Sequence, residues 1–169
     1  MISIATVNGR LLISTTDGAN LGTVKGIYLD REVQRGIAVF LGKTGIISRK
    51  EHLIDLKHVR LFGIDAWLVE GSDVAVVREE FDGGADLILA ENLYGREIQT
   101  DGGTRVATIE DVIVDPKFAV LGFSLAKIFI QGPVAEKMSI ARGAVSSLGD
   151  KNSPMIVSLE QAEKLGIEG

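Results

Sequence analysis

The sequence predicts an all-β protein made of two small domains in tandem and a short C-terminal helix. Its 169 residues suffice for one medium domain or for two domains of about 80 residues each. Short apolar runs rich in Val and Ile are interrupted about every eight to twelve residues by Gly, Asp or Asn, which is typical of short strands. The chain also repeats itself once, and a clear helix signal is present only near its end.

Strands and turns of the first half can be placed from this alternation. Asp17-Gly18 and the segment Phe62-Gly63-Ile64-Asp65 are turn signals that separate neighbouring runs. Near the C-terminus, Ser158 can cap a helix whose capping-box position is Gln161 and whose stop is Gly166. The predicted elements are the strands Arg10–Ser14, Thr23–Leu29, Gly36–Leu41, Asp55–Leu61 and Ala66–Val69 and the helix Leu159–Leu165.

The internal repeat keeps both its offset and the facing of its strand residues. The matched pairs Val39 and Phe123, Ile27 and Val112, and Val59 and Val145 are offset by 84, 85 and 86 residues. Alternate residues of a strand share one face, so we interpret the matched facing as an internal duplication. The sets predicted to be buried are Ile27, Leu29, Ile37, Val39 and Leu41 in the first repeat and Val112, Val114, Leu121, Phe123 and Leu125 in the second.

An acidic, glycine-containing segment separates the two repeats. Glu79, Glu80 and Asp82 precede Gly83-Gly84, and no apolar periodicity is present there. This pattern predicts a solvated linker rather than a calcium loop, because the alternating oxygen ligands of such a loop are missing. The predicted domains are residues 1–80 and 88–169, with 81–87 as the linker between them.

The second repeat carries an ordered series of turn and strand motifs. They are Leu93-Tyr94-Gly95-Arg96-Glu97-Ile98, then Asp101-Gly102, then Val106 through Asp115-Pro116, and then Val120-Leu121-Gly122-Phe123. This series resembles the PRC-barrel family. The first repeat departs from it, because it lacks a Pro after Asp30 and has two extra residues between Gly9 and Asp17.

The resemblance implies one small β-barrel for each repeat, and therefore two PRC-type β-barrels in tandem. The family includes the cytoplasmic domain of the photosynthetic reaction-centre H subunit and the C-terminal domain of a bacterial ribosome-maturation factor. In both settings the barrel mainly docks against other macromolecules. The resemblance implies no shared set of catalytic residues.

Composition argues against several classes of site. The chain has no Cys, so thiolate nucleophiles and cysteine-based metal sites are excluded. His52 and His58 are six residues apart, which does not suit a shared metal on a helix or on a straight strand. No phosphate loop is present, so we expect neither a metal nor an organic cofactor. The net charge of −5 argues against direct nucleic-acid binding.

The longest stretches without a charged side chain are Met1–Gly9 and Phe118–Ala126. A membrane-spanning helix needs about 20 apolar residues, and no signal-peptide pattern is present, so the sequence predicts a cytoplasmic protein. We expect any membrane association to occur only through a partner.

Phe40 is the interaction candidate that a comparison of the repeats identifies. In the predicted strand Gly36–Leu41 it lies on the face opposite the core set, together with Ala38. The second repeat has Gly122 and Ser124 at these two positions. We therefore expect Phe40 to be covered by the other domain, by a second subunit or by a partner.

These observations favour a non-enzymatic interaction or adaptor module with unidentified protein partners and possible homo-oligomerisation. One alternative is an accessory protein of a photosynthetic or other membrane electron-transfer complex, similar to the H subunit. A ribosome-assembly protein is another.

Overall fold

The computed structural model describes residues 1–44 and 49–167 of the chain. Over these residues the fold is mostly β, with two short α-helices and single turns of 3-10 helix. The strands are β1 (Ile2–Ser3), β2 (Leu11–Ser14), β3 (Asn20–Thr23), β4 (Gly26–Leu29), β5 (Gly36–Thr44), β6 (Lys50–Asp55), β7 (Val59–Phe62), β8 (Ala66–Val69), β9 (Val76–Val77), β10 (Ile88–Leu89), β11 (Glu97–Thr100), β12 (Arg105–Val114), β13 (Val120–Ile128), β14 (Ser139–Ala141), β15 (Val145–Ser147) and β16 (Met155–Val157). The helices are α1 (Pro133–Lys137) and α2 (Leu159–Lys164).

The chain folds into two compact units. The N-terminal unit is Ala5–Leu89, and the C-terminal unit combines Met1–Ile4 with the chain from Ala90 onward. The units therefore differ from the sequence repeats by one strand each, because β1 belongs to the C-terminal unit and β10 to the N-terminal unit. The segment 81–87, predicted as a linker, lies inside the N-terminal unit, where Gly84 and Leu87 are buried.

The N-terminal unit contains two sheets. One has the strand order β10-β4-β5-β6-β9, and the other has the order β3-β2-β8-β7. Strands β2 and β8 pair in parallel, whereas the other neighbours pair antiparallel.

The C-terminal unit joins the corresponding strands into one sheet of order β14-β13-β12-β11-β16-β15, with β1 also paired to β12. Its parallel pair is β11 and β16, which matches β2 and β8 of the N-terminal unit. The long strand β12 corresponds to β3 and β4 together, so the division at Val24 and Lys25 explains why the N-terminal unit has two sheets.

Strand pairing agrees with the repeat alignment. Ile27 lies opposite Val39 in the N-terminal unit, and the matched residue Val112 lies opposite Phe123 in the C-terminal unit. Of the residues predicted to be buried, Ile37, Leu41 and Leu121 are only half-buried, and the others are buried. The N-terminal unit also buries the opposite face of β4 and β5, where Tyr28 and Ala38 form a second core cluster with Leu53 and Leu87.

The structure revises one predicted strand, confirms one predicted helix and adds a second helix. The predicted strand Asp55–Leu61 begins instead as a 3-10 turn, because the Asp55 carboxylate accepts a hydrogen bond from the Lys57 backbone N–H. Helix α1 was not predicted. Helix α2 is confirmed, and the Ser158 hydroxyl accepts a hydrogen bond from the Gln161 N–H at 3.3 Å, as the capping signal indicates.

Candidate interaction surface

An apolar face covers the outer side of the sheet β3-β2-β8-β7. Residues of β2 and β8 alternate in burial, so Leu12 and Trp67 point into the N-terminal unit. Their neighbours Leu11, Ile13 and Leu68 point outward and are exposed or half-buried. The outer positions of these two strands are therefore apolar where a solvated sheet face normally carries polar side chains.

The apolar side chains continue onto β7 and the turn that follows it. Leu61 lies opposite Leu68 and is 55% exposed, and Ile64 at the turn is 85% exposed. Phe62 is 42% exposed and stands edge-on to Trp67, with ring centroids 4.8 Å apart. Phe62 lies opposite Trp67 and therefore belongs to the inner side of the sheet. The residues of the apolar face are Leu11, Ile13, Leu61, Ile64 and Leu68.

The C-terminal unit has polar residues at most of the matched positions. Strand pairing matches Leu11 with Glu97, Ile13 with Gln99 and Leu61 with Ser147. Glu97 accepts a hydrogen bond from the Gln99 side-chain amide at 2.8 Å and forms an ion pair with Arg105 at 3.2 Å. At these three pairs the N-terminal unit is apolar and the C-terminal unit is polar, whereas Leu68 is matched by the apolar Ile156.

The turn beside this face also differs between the units. Trp67 follows Leu61 by six residues, whereas Met155 follows Ser147 by eight, so the turn of the C-terminal unit is longer. The longer turn borders a cavity of about 420 Å³ that is lined by residues including Arg96, Glu97 and Asp150. Both charge signs are present in this lining, so it selects no single class of ligand.

Arg96 and Asp150, two charged residues that line this cavity, form hydrogen bonds with backbone groups of the turn. Arg96 donates a hydrogen bond to the Leu148 carbonyl at 3.0 Å, and burial lowers the pKa of its guanidinium. The Asn152 N–H donates to the Asp150 carboxylate at 2.7 Å, which lowers the pKa of that carboxyl. These contacts order the turn.

Phe40 lies in the second core cluster of the N-terminal unit. Its ring is half-buried and stands edge-on to Tyr28, with centroids 5.5 Å apart. Ala38, Leu53 and Leu87 complete the buried part of this cluster. Most of the surroundings of Phe40 therefore come from its own unit, and its role as a partner contact stays a prediction.

Arg78 fixes the acidic segment that follows β9 onto this cluster. Its guanidinium donates to the carbonyls of Gly84 and Leu87, both at 2.7 Å, and pairs with Glu51 at 3.0 Å. It also lies over the Tyr28 ring, 5.3 Å from the centroid. Glu79, Glu80 and Asp82 of this segment are exposed, whereas Gly84 and Leu87 are buried against the unit.

The two histidines have separate environments. His58 and Arg60 both pair with Glu70, and the His52 ring contacts the Lys50 carbonyl at 3.1 Å. Within residues 1–44 and 49–167, no group of three or more His, Cys, Asp or Glu side chains is placed to hold a metal ion. Over the same residues, no helix is long and apolar enough to cross a membrane.

Neither a scan against protein-family models nor a search of curated proteins gives a match to this chain. The repeats are therefore the available internal comparison. Their alignment already contained the signal for the apolar face, because Leu11 and Ile13 stand where the second repeat has Glu97 and Gln99. This face was not predicted, because outward-facing positions of the two repeats were compared only in the strand that contains Phe40.

Proposed function

We propose that the protein is a non-enzymatic interaction module and that the apolar face of its N-terminal unit binds a protein partner. The observation that carries this proposal is the contrast between matched positions. Leu11, Leu61 and Ile64 are exposed in the N-terminal unit, and the C-terminal unit has Glu97, Ser147 and the polar Asp150 turn at the same place in the fold.

Burial of the apolar face against a partner is energetically favoured over its exposure to solvent. Contiguous exposed apolar side chains on a sheet are typical of interaction surfaces. Burying one such side chain completely against a partner contributes about 1.5–3 kcal/mol. The partner that fits is a protein with an apolar docking surface of its own.

The fold assignment is part of the same proposal. We infer that each unit is a small PRC-type β-barrel, so that the chain carries two in tandem. Two features support this inference. The units share the same order of paired strands, and Asp115 of the Asp-Pro motif accepts bonds from the Lys117 and Ala119 N–H groups in a tight turn. A docking role would suit the family that the second repeat resembles.

A comparative affinity purification from the native cell tests the function. The face variant carries Leu11→Glu and Leu61→Ser, which copy the matched residues of the second repeat, and Ile64→Asp, which copies the charge of Asp150 in its longer turn. The matched control carries Glu97→Gln, Ser147→Ala and Asp150→Asn in the C-terminal unit. We expect quantitative mass spectrometry to show at least one protein that is reduced by about tenfold or more with the face variant and retained with the control.

Two results would contradict the proposal. One is that the face variant recovers the same proteins in the same amounts as the unaltered chain. The other is that the control loses the same proteins, since the contact would then not depend on the apolar face. Light scattering of the purified variants checks that both remain folded and in the same oligomeric state.

A further inference from the structure

The first strand of each repeat completes the unit formed by the other repeat. In the C-terminal unit, Ile2 and Ser3 of β1 pair with Val114 and Ile113 of β12. In the N-terminal unit, β10 pairs with β4 in the same antiparallel manner. Since β4 and the end of β12 are matched segments of the repeats, the two receiving edges are equivalent positions of the fold. Backbone pairing alone would accept either strand at either edge.

The contact at the edge of β12 is polar. Ser3 donates its hydroxyl hydrogen bond to the Asp111 carboxylate, which is only 5% exposed. The Tyr94 hydroxyl and the Val112 N–H donate to the other carboxylate oxygen, at 2.6 and 2.7 Å. A buried carboxylate is stable only when its oxygens accept hydrogen bonds, so β1 supplies part of what this site requires.

The contact at the edge of β4 is apolar. Gly26 occupies the position that Asp111 has in the second repeat. A Cβ atom at Gly26 would lie 3.4 Å from a methyl group of Leu89 and 3.7 Å from the Phe40 ring. Leu89 of β10 therefore packs over a position without a side chain, and it is the residue that matches Ser3 in the pairing register.

We propose that Ser3 and Leu89 are specificity-determining residues that direct each exchanged strand to its own unit. A Leu at the β12 edge cannot donate to Asp111 and removes a hydrogen bond from a buried carboxylate. A Ser at the β4 edge places a hydroxyl beside Gly26 and the Phe40 ring in a mostly apolar cluster, and the packing of Leu89 is lost. Each mismatch is costly on its own, so the pair of contacts selects one arrangement of strands.

Hydrogen exchange of the full chain, measured by mass spectrometry, tests this proposal. The peptide covering residues 1–7 reports on β1, and the peptide covering 84–93 reports on β10. We expect Ser3→Leu to accelerate exchange of the β1 peptide on the order of tenfold and to leave the β10 peptide unchanged. Leu89→Ser should do the reverse. Ser3→Thr keeps the hydroxyl, so it should stay within about threefold of the unaltered chain.

A double-mutant cycle separates specificity from a general loss of stability. Asp111→Gly copies Gly26 and removes the acceptor, so adding Ser3→Leu to it should accelerate the β1 peptide by less than about threefold. Asp111→Ala is the second background if the Gly variant does not fold. The proposal is overturned if Ser3→Leu has the same effect with and without Asp111, or if it has none.

Discussion

The two units share their buried positions and differ on the surfaces that cover them. Leu12 and Trp67 in the N-terminal unit correspond to Ile98 and Met155 in the C-terminal unit, and all four are buried. One residue away, outward-facing Leu11 corresponds to Glu97. Alternate strand residues face opposite sides, so the inner positions are apolar in both units. The outer positions of β2 and β11 differ in polarity, whereas the outer residues Leu68 and Ile156 are both apolar. The difference therefore lies in outward-facing side chains and leaves the buried positions of the two units alike.

A second contrast concerns how each unit covers its β5 or β13 sheet. The N-terminal unit uses the segment after β9, which Arg78 holds through two carbonyls and Glu51. The C-terminal unit uses helices, and the Lys137 ammonium donates to the carbonyls of Ala162, Glu163 and Leu165 at the end of α2. In each unit, one basic side chain, Arg78 or Lys137, binds three acceptor groups of the covering segment or beside it. The covering segments themselves have unrelated secondary structure.

Arg78→Ala should cause the largest loss of stability. The substitution removes the hydrogen bonds to the carbonyls of Gly84 and Leu87, the ion pair with Glu51 and the contact with the Tyr28 ring. We expect it to lower the free energy of unfolding by about 3 kcal/mol. Urea unfolding followed by fluorescence of Trp67, the only tryptophan, measures this loss. Arg78→Lys should recover little, since an ammonium cannot reproduce the planar fork. A loss below about 1 kcal/mol would contradict this expectation and would indicate that the segment after β9 contributes little to stability.

Lys137→Met should cost less, about 1–2 kcal/mol, because it keeps the alkyl chain and affects only the C-terminal end of α2. Hydrogen exchange of the peptide that covers α2 should accelerate, while the N-terminal unit should exchange as before. Equal losses in the free energy of unfolding for the Arg78 and Lys137 variants would contradict the larger stabilising role that we expect for Arg78.

How far the sequence predicts these features depends on the kind of interaction. Val39 and Phe123 follow from strand alternation, which is local, and so does the cap at Ser158. The packed role of the acidic segment could not be predicted in this way. It depends on Arg78 reaching Glu51, 27 residues earlier in the chain, and local composition carries no signal for such a contact.

The placement of β1 in the C-terminal unit and of β10 in the N-terminal unit could not be predicted from the sequence either. Each of these strands has two residues, and each joins a unit built by the other repeat. A periodic pattern cannot be recognised in two residues, and the repeat alignment gives no indication of which unit they join. By contrast, the apolar face could have been found from the sequence, because most of its residues differ in polarity from their matched partners.

The single tyrosine of each unit should titrate abnormally. Burial and a hydrogen bond to Glu51 raise the pKa of Tyr28, and burial and a hydrogen bond to Asp111 raise the pKa of Tyr94. In the unfolded chain both phenols ionise near pH 10. The unfolded state therefore loses protons first, so the stability that these groups contribute is present below about pH 10 and declines above it.

Absorbance of the phenolate near 295 nm checks this expectation. Both tyrosines should ionise together with alkaline unfolding, and Tyr94→Phe should leave a signal from Tyr28 alone. Titration of either residue near pH 10 in the folded chain would contradict the buried environments described for the two hydroxyl groups.

Ile64→Asp should have the smallest effect and should isolate binding from folding. The side chain is 85% exposed in a short turn, and the second repeat has Asp150 in the corresponding turn, so we expect a change within about 0.5 kcal/mol in the free energy of unfolding. Phe62→Leu, which copies Leu148, removes the edge-on contact with Trp67 and should cost about 0.5–1.5 kcal/mol more. Urea unfolding of the two variants, followed by Trp67 fluorescence, compares them directly. A large loss for Ile64→Asp would show that this turn belongs to the core, and the apolar face would then be explained by folding rather than by a partner.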